Sequence, residues 1–222
     1  NTREPKPAGG EFLEVQDRVL SGMIEKAGIT DAAALPCVPL DPRISLWRGD
    51  ITALRVDAVV NAANSQMLGC WVPGHHCIDN AIHTFAGVQL RLECAALMEA
   101  QGYPEPTGRA KVTDAFNLPA RFIVHTVGPI ANGAASATDA RLLANCYKSC
   151  LDAAAELGCS SIAFCCISTG VFGFPQEAAA AIAIDAVHVW LDSHDSGTHV
   201  IFNVFTDRDE RIYHGLLFDA AR

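Results

Sequence analysis

A chain of 222 residues, half of them apolar, is long enough to bury a sizeable core as one large domain. Its formal charge of −9 excludes the basic stripe that a nucleic-acid binder needs to neutralise phosphates, and no run of ~18 apolar residues is present to cross a membrane. Nine cysteines, an odd number spread through apolar segments, do not form a small secreted disulfide scaffold and fit a reducing, cytoplasmic setting.

The first eleven residues, polar with Pro and Gly, lack the charged-then-apolar pattern of a secretion signal and are left outside the fold. Phe12, Val15, Val19, Leu20, Met23 and Ile24 recur at helical spacing, which predicts an amphipathic helix over 12–27, ended by Gly28 and packed on the main domain. A connector with Pro36, Pro39 and Pro42 follows. Residues 1–43 therefore read as an N-terminal helical extension and connector, and 44–222 as the main domain. Short strands are predicted at 44–47 and 58–60, one long helix over 79–101, strands at 110–116 and 122–127, and a helix over 139–157. Residues 161–167, SIAFCCI, form a nearly continuous apolar run, as expected of a strand buried on both faces. A helix over 176–191, a strand at 199–205 and a helix over 207–221 complete the chain. Strands alternating with helices predict a layered α/β domain with a mostly parallel or mixed central sheet, whose ligands sit at the carboxyl ends of the strands.

Three stretches follow predicted strands and so share one sheet edge: GDIT at 49–52, NAAN at 61–64 and STGVFGFP at 168–175. In the last, Ser168, Thr169, Gly170 and Gly173 let backbone N–H groups approach an anion ahead of a helix N-terminus; the alternative is an ordinary Gly-containing turn. Asp50 is either an acceptor for a ligand amine or a cap of its turn. Asn61 and Asn64 either bind ribose hydroxyls or satisfy loop backbone groups.

The stretch 69–83, GCWVPGHHCIDNAIH, is the densest in chemistry. Cys70, His75 and Cys77 stand as C-x4-H-x-C, and thiolate with imidazole is the ligand set Zn²⁺ prefers. His75 and Cys77 face the same side of an extended segment and His76 the other, so His75 is taken as the ligand; Pro73 and Gly74 supply the turn that returns Cys70 to the pair. Three ligands leave a fourth position for water or substrate, the pattern of a catalytic zinc, whereas the alternative is an ion that only pins the loop. Asp79 is a cap or first-turn residue of the next helix, and its place two residues after a ligand also suits a general base. His83 reads as a structural partner of Asp79 or a core histidine rather than a fourth ligand, His125 as a core histidine, and Phe205 as a strand end that either belongs to the core or stacks on adenine.

Taken in order, GDIT, VDAVVNAAN, IDNAIHTFAG, VHTVGP and ISTGVFGFP resemble the macrodomains, which bind ADP-ribose, from residue 44 onward. The resemblance implies a three-layer α/β macrodomain with a mixed central sheet flanked by helices, preceded here by the N-terminal helical extension. Where hydrolytic macrodomains usually carry a run of glycines, GCWVPGHHC resembles the zinc-containing subgroup that removes ADP-ribose from modified proteins. That likeness implies one Zn²⁺ on Cys70, His75 and Cys77, with Asp79 as the catalytic acidic residue. It also implies Asp50 and Ile51 at the adenine, Ser168, Thr169, Gly170, Val171 and Phe172 at the diphosphate, and Asn64 at the distal ribose, which Phe172 covers. The expected partners are ADP-ribose and a mono-ADP-ribosylated protein, with neither nucleic acid nor membrane. Non-catalytic ADP-ribose binding and hydrolysis of small esters such as O-acetyl-ADP-ribose are the alternatives.

Overall fold

The computed structural model describes residues 2–194 and 197–218, so the predicted end of the last helix at 219–221 lies outside the described residues. Eight strands form one sheet: β1 (Thr30–Asp31), β2 (Cys37–Val38), β3 (Asp41–Arg48), β4 (Leu54–Ala63), β5 (Ala110–Asp114), β6 (Ala120–Val127), β7 (Ser161–Phe164) and β8 (His199–Val204). Their order is β2-β3-β8-β7-β4-β6-β5, with β1 beside the start of β4. The five central strands run parallel, and β2 and β5 close the two edges antiparallel. The helices are α1 (Gly10–Ala27), α2 (Ile78–Ala86), α3 (Val88–Gln101), α4 (Ala137–Glu156), α5 (Gln176–Ser193) and α6 (Asp207–Phe218).

The period-2 alternation of strand side chains builds the three layers. Ala58, Val60, Ile162, Phe164, Val200 and Phe202 project to one face and pack with Leu143 and Tyr147 of α4, Val187 of α5 and Tyr213 of α6. Val59, Ala163 and Ile201 project to the other, against Ile24 of α1, Ile82 of α2 and Leu90 and Cys94 of α3. Both faces of the middle strands are thus dry, which is why 161–164 reads as unbroken apolar sequence. The predicted mixed sheet between helical layers is the observed fold.

Several elements differ from expectation. The single helix predicted over 79–101 is two, because Gly87 adopts φ +102°. The apolar period continues across this break, so periodicity alone joins the halves. The run at 161–167 is strand only to Phe164; Cys165, Cys166 and Ile167 carry the chain off the sheet. The strands expected at 44–47 and 58–60 extend to Asp41–Arg48 and Leu54–Ala63, and the connector supplies β1 and β2. On α1, Phe12, Val15, Val19 and Met23 are exposed. The helix is attached instead through Ile24 and a polar seam: Val88 N donates to Gln16 Oε1 (3.0 Å), Gln16 Nε2 to Gln89 Oε1 (2.7 Å) and Asn117 Nδ2 to Asp17 Oδ1 (2.8 Å). Among the described residues no helix is long and apolar enough to cross a membrane.

Candidate functional site

Because the central strands are parallel, the loops leaving β3, β4, β7 and β8 emerge along one edge of the sheet. A cleft of about 360 Å³ opens there, between residues 49–51 after β3, residues 74–78, the start of α2, and Phe205 beyond β8. Asp50 does cap its turn, since Oδ1 accepts from Thr52 N (2.9 Å) and Thr52 Oγ1 (2.7 Å). Asn203 Nδ2 donates to Gly49 O (2.9 Å) and fixes the same turn from β8. Ile51 lines the cleft although its side chain belongs to the core. Of the two alternatives for Phe205, the core one is excluded, since the side chain is 74% exposed and forms a wall of the cleft. Its position one residue past β8 takes it out of the sheet layer. A concavity of about 500 Å³ at the opposite, amino end of the strands holds none of the candidate site residues, only Val56 and Asp57 from the start of the VDAVVNAAN stretch.

The ligand atoms of Cys70, His75 and Cys77 all lie within 4.8 Å of one another, with Cys70 Sγ 3.5 Å from His75 Nδ1. Metal–sulfur and metal–nitrogen bonds of ~2.3 and ~2.0 Å span such separations around a single tetrahedral ion, so these residues fit zinc. The turn is tighter than the extended segment assumed from sequence: Gly74 has φ +68°, His75 N donates to Val72 O (3.2 Å), and Cys77 N donates to His75 O (3.1 Å). It nonetheless presents His75 and Cys77 to one side and leaves His76 exposed outside the set. Cys77 also caps α2, its Sγ accepting from Asn80 N (3.4 Å). Asn80 Nδ2 in turn donates to His75 O (2.7 Å), a tether that sequence reasoning missed because Asn in a first helical turn looks ordinary. Burial, and the Cys70 thiol beside it, push the Cys77 thiol up to about 11, so a cation is needed to hold it as thiolate at neutral pH.

Asp79 is the second residue of α2 and is buried; the cap position belongs to Cys77. Asn61 Nδ2 donates to Asp79 Oδ1 (2.9 Å), and Asn64 Nδ2 stands 3.4 Å from Oδ2. Burial raises the carboxyl to about 6, against the Asn61 hydrogen bond and the charge of Arg91, which lower it. His83 Nε2 lies 3.5 Å from Asp79 Oδ1, but burial holds that imidazole at about 3. The contact is therefore between a carboxylate and a neutral ring, and neither ring nitrogen makes a hydrogen bond among the described residues. His125, wholly buried, accepts at Nδ1 from Asn61 Nδ2 (3.1 Å) and donates from Nε2 to Thr113 Oγ1 (2.9 Å), a satisfied core histidine as expected. Asn61 thus bridges Asp79 and His125 inside the protein, a role that neither sequence alternative covered. Asn64 holds its loop: Oδ1 accepts from Gln66 N (2.9 Å), and Nδ2 donates to Gly69 O (3.1 Å).

In the loop after β7, Ser168 is buried at φ +66°, a conformation that costs a non-glycine residue about 1–3 kcal/mol and marks functional backbone. Phe174 N donates to Ser168 O (2.9 Å) and Gly173 N to Gly170 O (3.0 Å), while Phe172 O accepts from Ala131 N (2.8 Å) and Asn132 N (3.1 Å). The amides of Gly170, Val171 and Phe172 find no hydrogen-bond acceptor among the described residues, which leaves three consecutive donors for an anion. The neighbouring VHTVGP stretch needs its glycine, because a Cβ on Gly128 would stand 2.0 Å from Ser168 Oγ. This loop, Asn64 and Asp79 do not line the 360 Å³ cleft itself; they adjoin it along the same sheet edge.

Similarity to known proteins agrees with this arrangement. A protein of Treponema medium named protein-ADP-ribose hydrolase is 54% identical over 98% of this chain and 84% of its own length. One of the same name from Staphylococcus aureus (strain MRSA252) is 50% identical over 96% of the chain and 80% of its own length. The structure of a Trypanosoma brucei macrodomain in complex with ADP-ribose superposes with a TM-score of 0.72 at 31% identity, covering 95% of this chain and 91% of that one. That of an Oceanobacillus iheyensis macrodomain with ADP gives 0.70 at 40% identity, over 77% and 87%. With the Macro domain profile matching residues 60–183, the chain belongs to the macrodomain family.

Proposed function

We propose that this protein is a hydrolase that releases ADP-ribose from mono-ADP-ribosylated proteins, with one Zn²⁺ held by Cys70, His75 and Cys77. The observation that carries the reading is the convergence of those three ligand atoms, within 4.8 Å, with His75 and Cys77 on the wall of the cleft that also presents Asp50. The names of its relatives and the ADP-ribose in a macrodomain neighbour support the substrate. Cys70, His75 and Cys77 would hold the ion, which would supply Lewis acidity moderated by the two thiolates that cancel its charge.

The remaining steps belong to the chain's own residues. Asp50 accepts from the adenine amine, and Ile51 borders it. The amides from Gly170 to Phe172 hold the diphosphate, and Phe172 covers the distal ribose, which Asn64 positions through the turn it fixes. Asp79, ionised yet more basic than a surface carboxylate, takes a proton from the attacking water. The water oxygen bonds to C1″, the bond from C1″ to the acceptor breaks, and the acceptor side chain leaves with the electron pair and regains a proton. Nine unpaired thiols support a cytoplasmic setting, and neither nucleic acid nor membrane is a partner.

Metal analysis, combined with ADP-ribose release from a mono-ADP-ribosylated protein with and without chelator, tests the proposal. One zinc per chain and chelator-sensitive release are expected. Full activity in metal-free protein overturns the zinc reading. Tight ADP-ribose binding without turnover over hours makes the protein a binding module, and turnover confined to O-acetyl-ADP-ribose makes it an esterase for small molecules.

A further inference from the structure

The first turn of α3 carries a charge that the mechanism above does not use. Arg91 is only 5% exposed, and no carboxylate lies within ion-pair distance of it among the described residues. Burying a guanidinium without compensation costs several kcal/mol, so its surroundings identify its task. The guanidinium lies 4.4 Å over the Trp71 ring, and Nη1 donates to Arg3 O (2.7 Å). Nη2 rests against Gly69 so closely that a Cβ there, at φ +78°, would stand 3.0 Å from it. Gly69 and Trp71 are the two neighbours of Cys70, so both sides of that ligand lean on one side chain anchored in a helix. The groups that feel its charge are Asp79, Cys94 and Cys70.

We propose that Arg91 is a positioning residue for the metal-ligating loop: it holds Gly69 and Trp71 on either side of Cys70. This rests on the zinc reading. The stack explains why a tryptophan that is 38% exposed sits beside a metal ligand. The planar guanidinium suits this place because it stacks and donates in fixed directions, whereas an ammonium does only the second, and less directionally.

The test is metal affinity, measured by competition with a chromophoric chelator, in the wild type and in Arg91→Met, Arg91→Lys and Trp71→Ala. The thiolate-to-metal charge-transfer band of the Co²⁺-substituted proteins reports the geometry of the ligand set. Arg91→Met is expected to weaken Zn²⁺ binding about 10- to 100-fold and to perturb the band, as loss of a group supporting a metal ligand does. Arg91→Lys, which keeps the charge without the stack, recovers part of the loss. Wild-type affinity and an unchanged band in Arg91→Met overturn the proposal. Should that variant not fold, unchanged affinity in Trp71→Ala, which removes an exposed ring, overturns it equally. Failure of the wild type to compete for metal at all refutes the zinc reading instead, so the two failures are distinguishable.

Discussion

Asp79 is ionised at neutral pH and yet holds a proton more tightly than a surface carboxylate, because burial disfavours its charge while Asn61 and Arg91 keep the rise in check. Asp79→Asn keeps the size of the side chain and removes the base. It should lower kcat by about 10²- to 10⁴-fold with metal content unchanged, and a kcat near wild type would remove Asp79 from the chemistry. Cys77 caps α2 and is also a proposed metal ligand, and two substitutions separate the two roles. Cys77→Ala should lose the metal and also about 1 kcal/mol of stability from the uncapped helix, whereas Cys77→Ser keeps a capping oxygen and recovers that stability without recovering zinc. Denaturant midpoints measured beside metal content decide this; equal midpoints for the two variants would show that the cap is worth nothing.

At the scale of elements, the site depends on places where backbones meet. Gly128, at the end of β6, lies under the loop that follows β7, with no space for a methyl group. Gly128→Ala crowds the side chains of Ser168 and Ile167, which open the loop that carries the free amides. We expect ADP-ribose affinity, read by calorimetry, to fall at least tenfold while zinc content is unchanged; retained affinity would dissociate this loop from the diphosphate. Gly87 divides α2 from α3 and lets Gln16 of α1 reach Val88 N. At φ +102° an alanine is strained, and its Cβ would meet Gln16 Nε2 at 2.6 Å. Gly87→Ala is expected to lower stability by about 1–2 kcal/mol and to loosen α1, visible as faster proteolysis of the N-terminal segment.

For the whole molecule, burial decides the response to acid. His83 and His125 are held neutral, at about 3, and an unfolded histidine titrates near 6.5. As pH falls below about 6.5 the unfolded chain takes up protons that the native chain refuses, so stability falls by about 1.4 kcal/mol per pH unit per histidine. Asp79 acts in the opposite sense. Its raised native value means that the folded state is protonated first, adding stability between about pH 6 and 4. His199, also lowered by burial, adds to the loss, while Glu93, raised by burial, joins Asp79 against it; the two most strongly shifted histidines leave a net loss. Urea denaturation at pH 6 and 5 should therefore show a stability loss in the wild type that is clearly smaller in His125→Gln, which can still accept from Asn61; an equal loss in both would refute the assignment.

The sequence by itself determined the layered α/β class, because apolar strands alternating with helices have few other solutions, and it singled out Cys70, His75 and Cys77 as candidate metal ligands, because cysteine and histidine at that spacing are rarely core; the fold brings their ligand atoms within 4.8 Å of one another. It also placed the loops of GDIT, NAAN and STGVFGFP on one edge, since parallel strands end together. The tertiary structure alone decided the partners. No spacing reveals that Asn61 joins Asp79 to His125, that Asn80 ties His75 to α2, or that Arg91 stacks on Trp71, because these contacts join elements brought together only by packing. The exposed stripe of α1 is the converse: helical periodicity marks an apolar face, but only the neighbours say whether anything covers it. Local propensity and pattern reach as far as one element, and the chemistry of this site lies between elements.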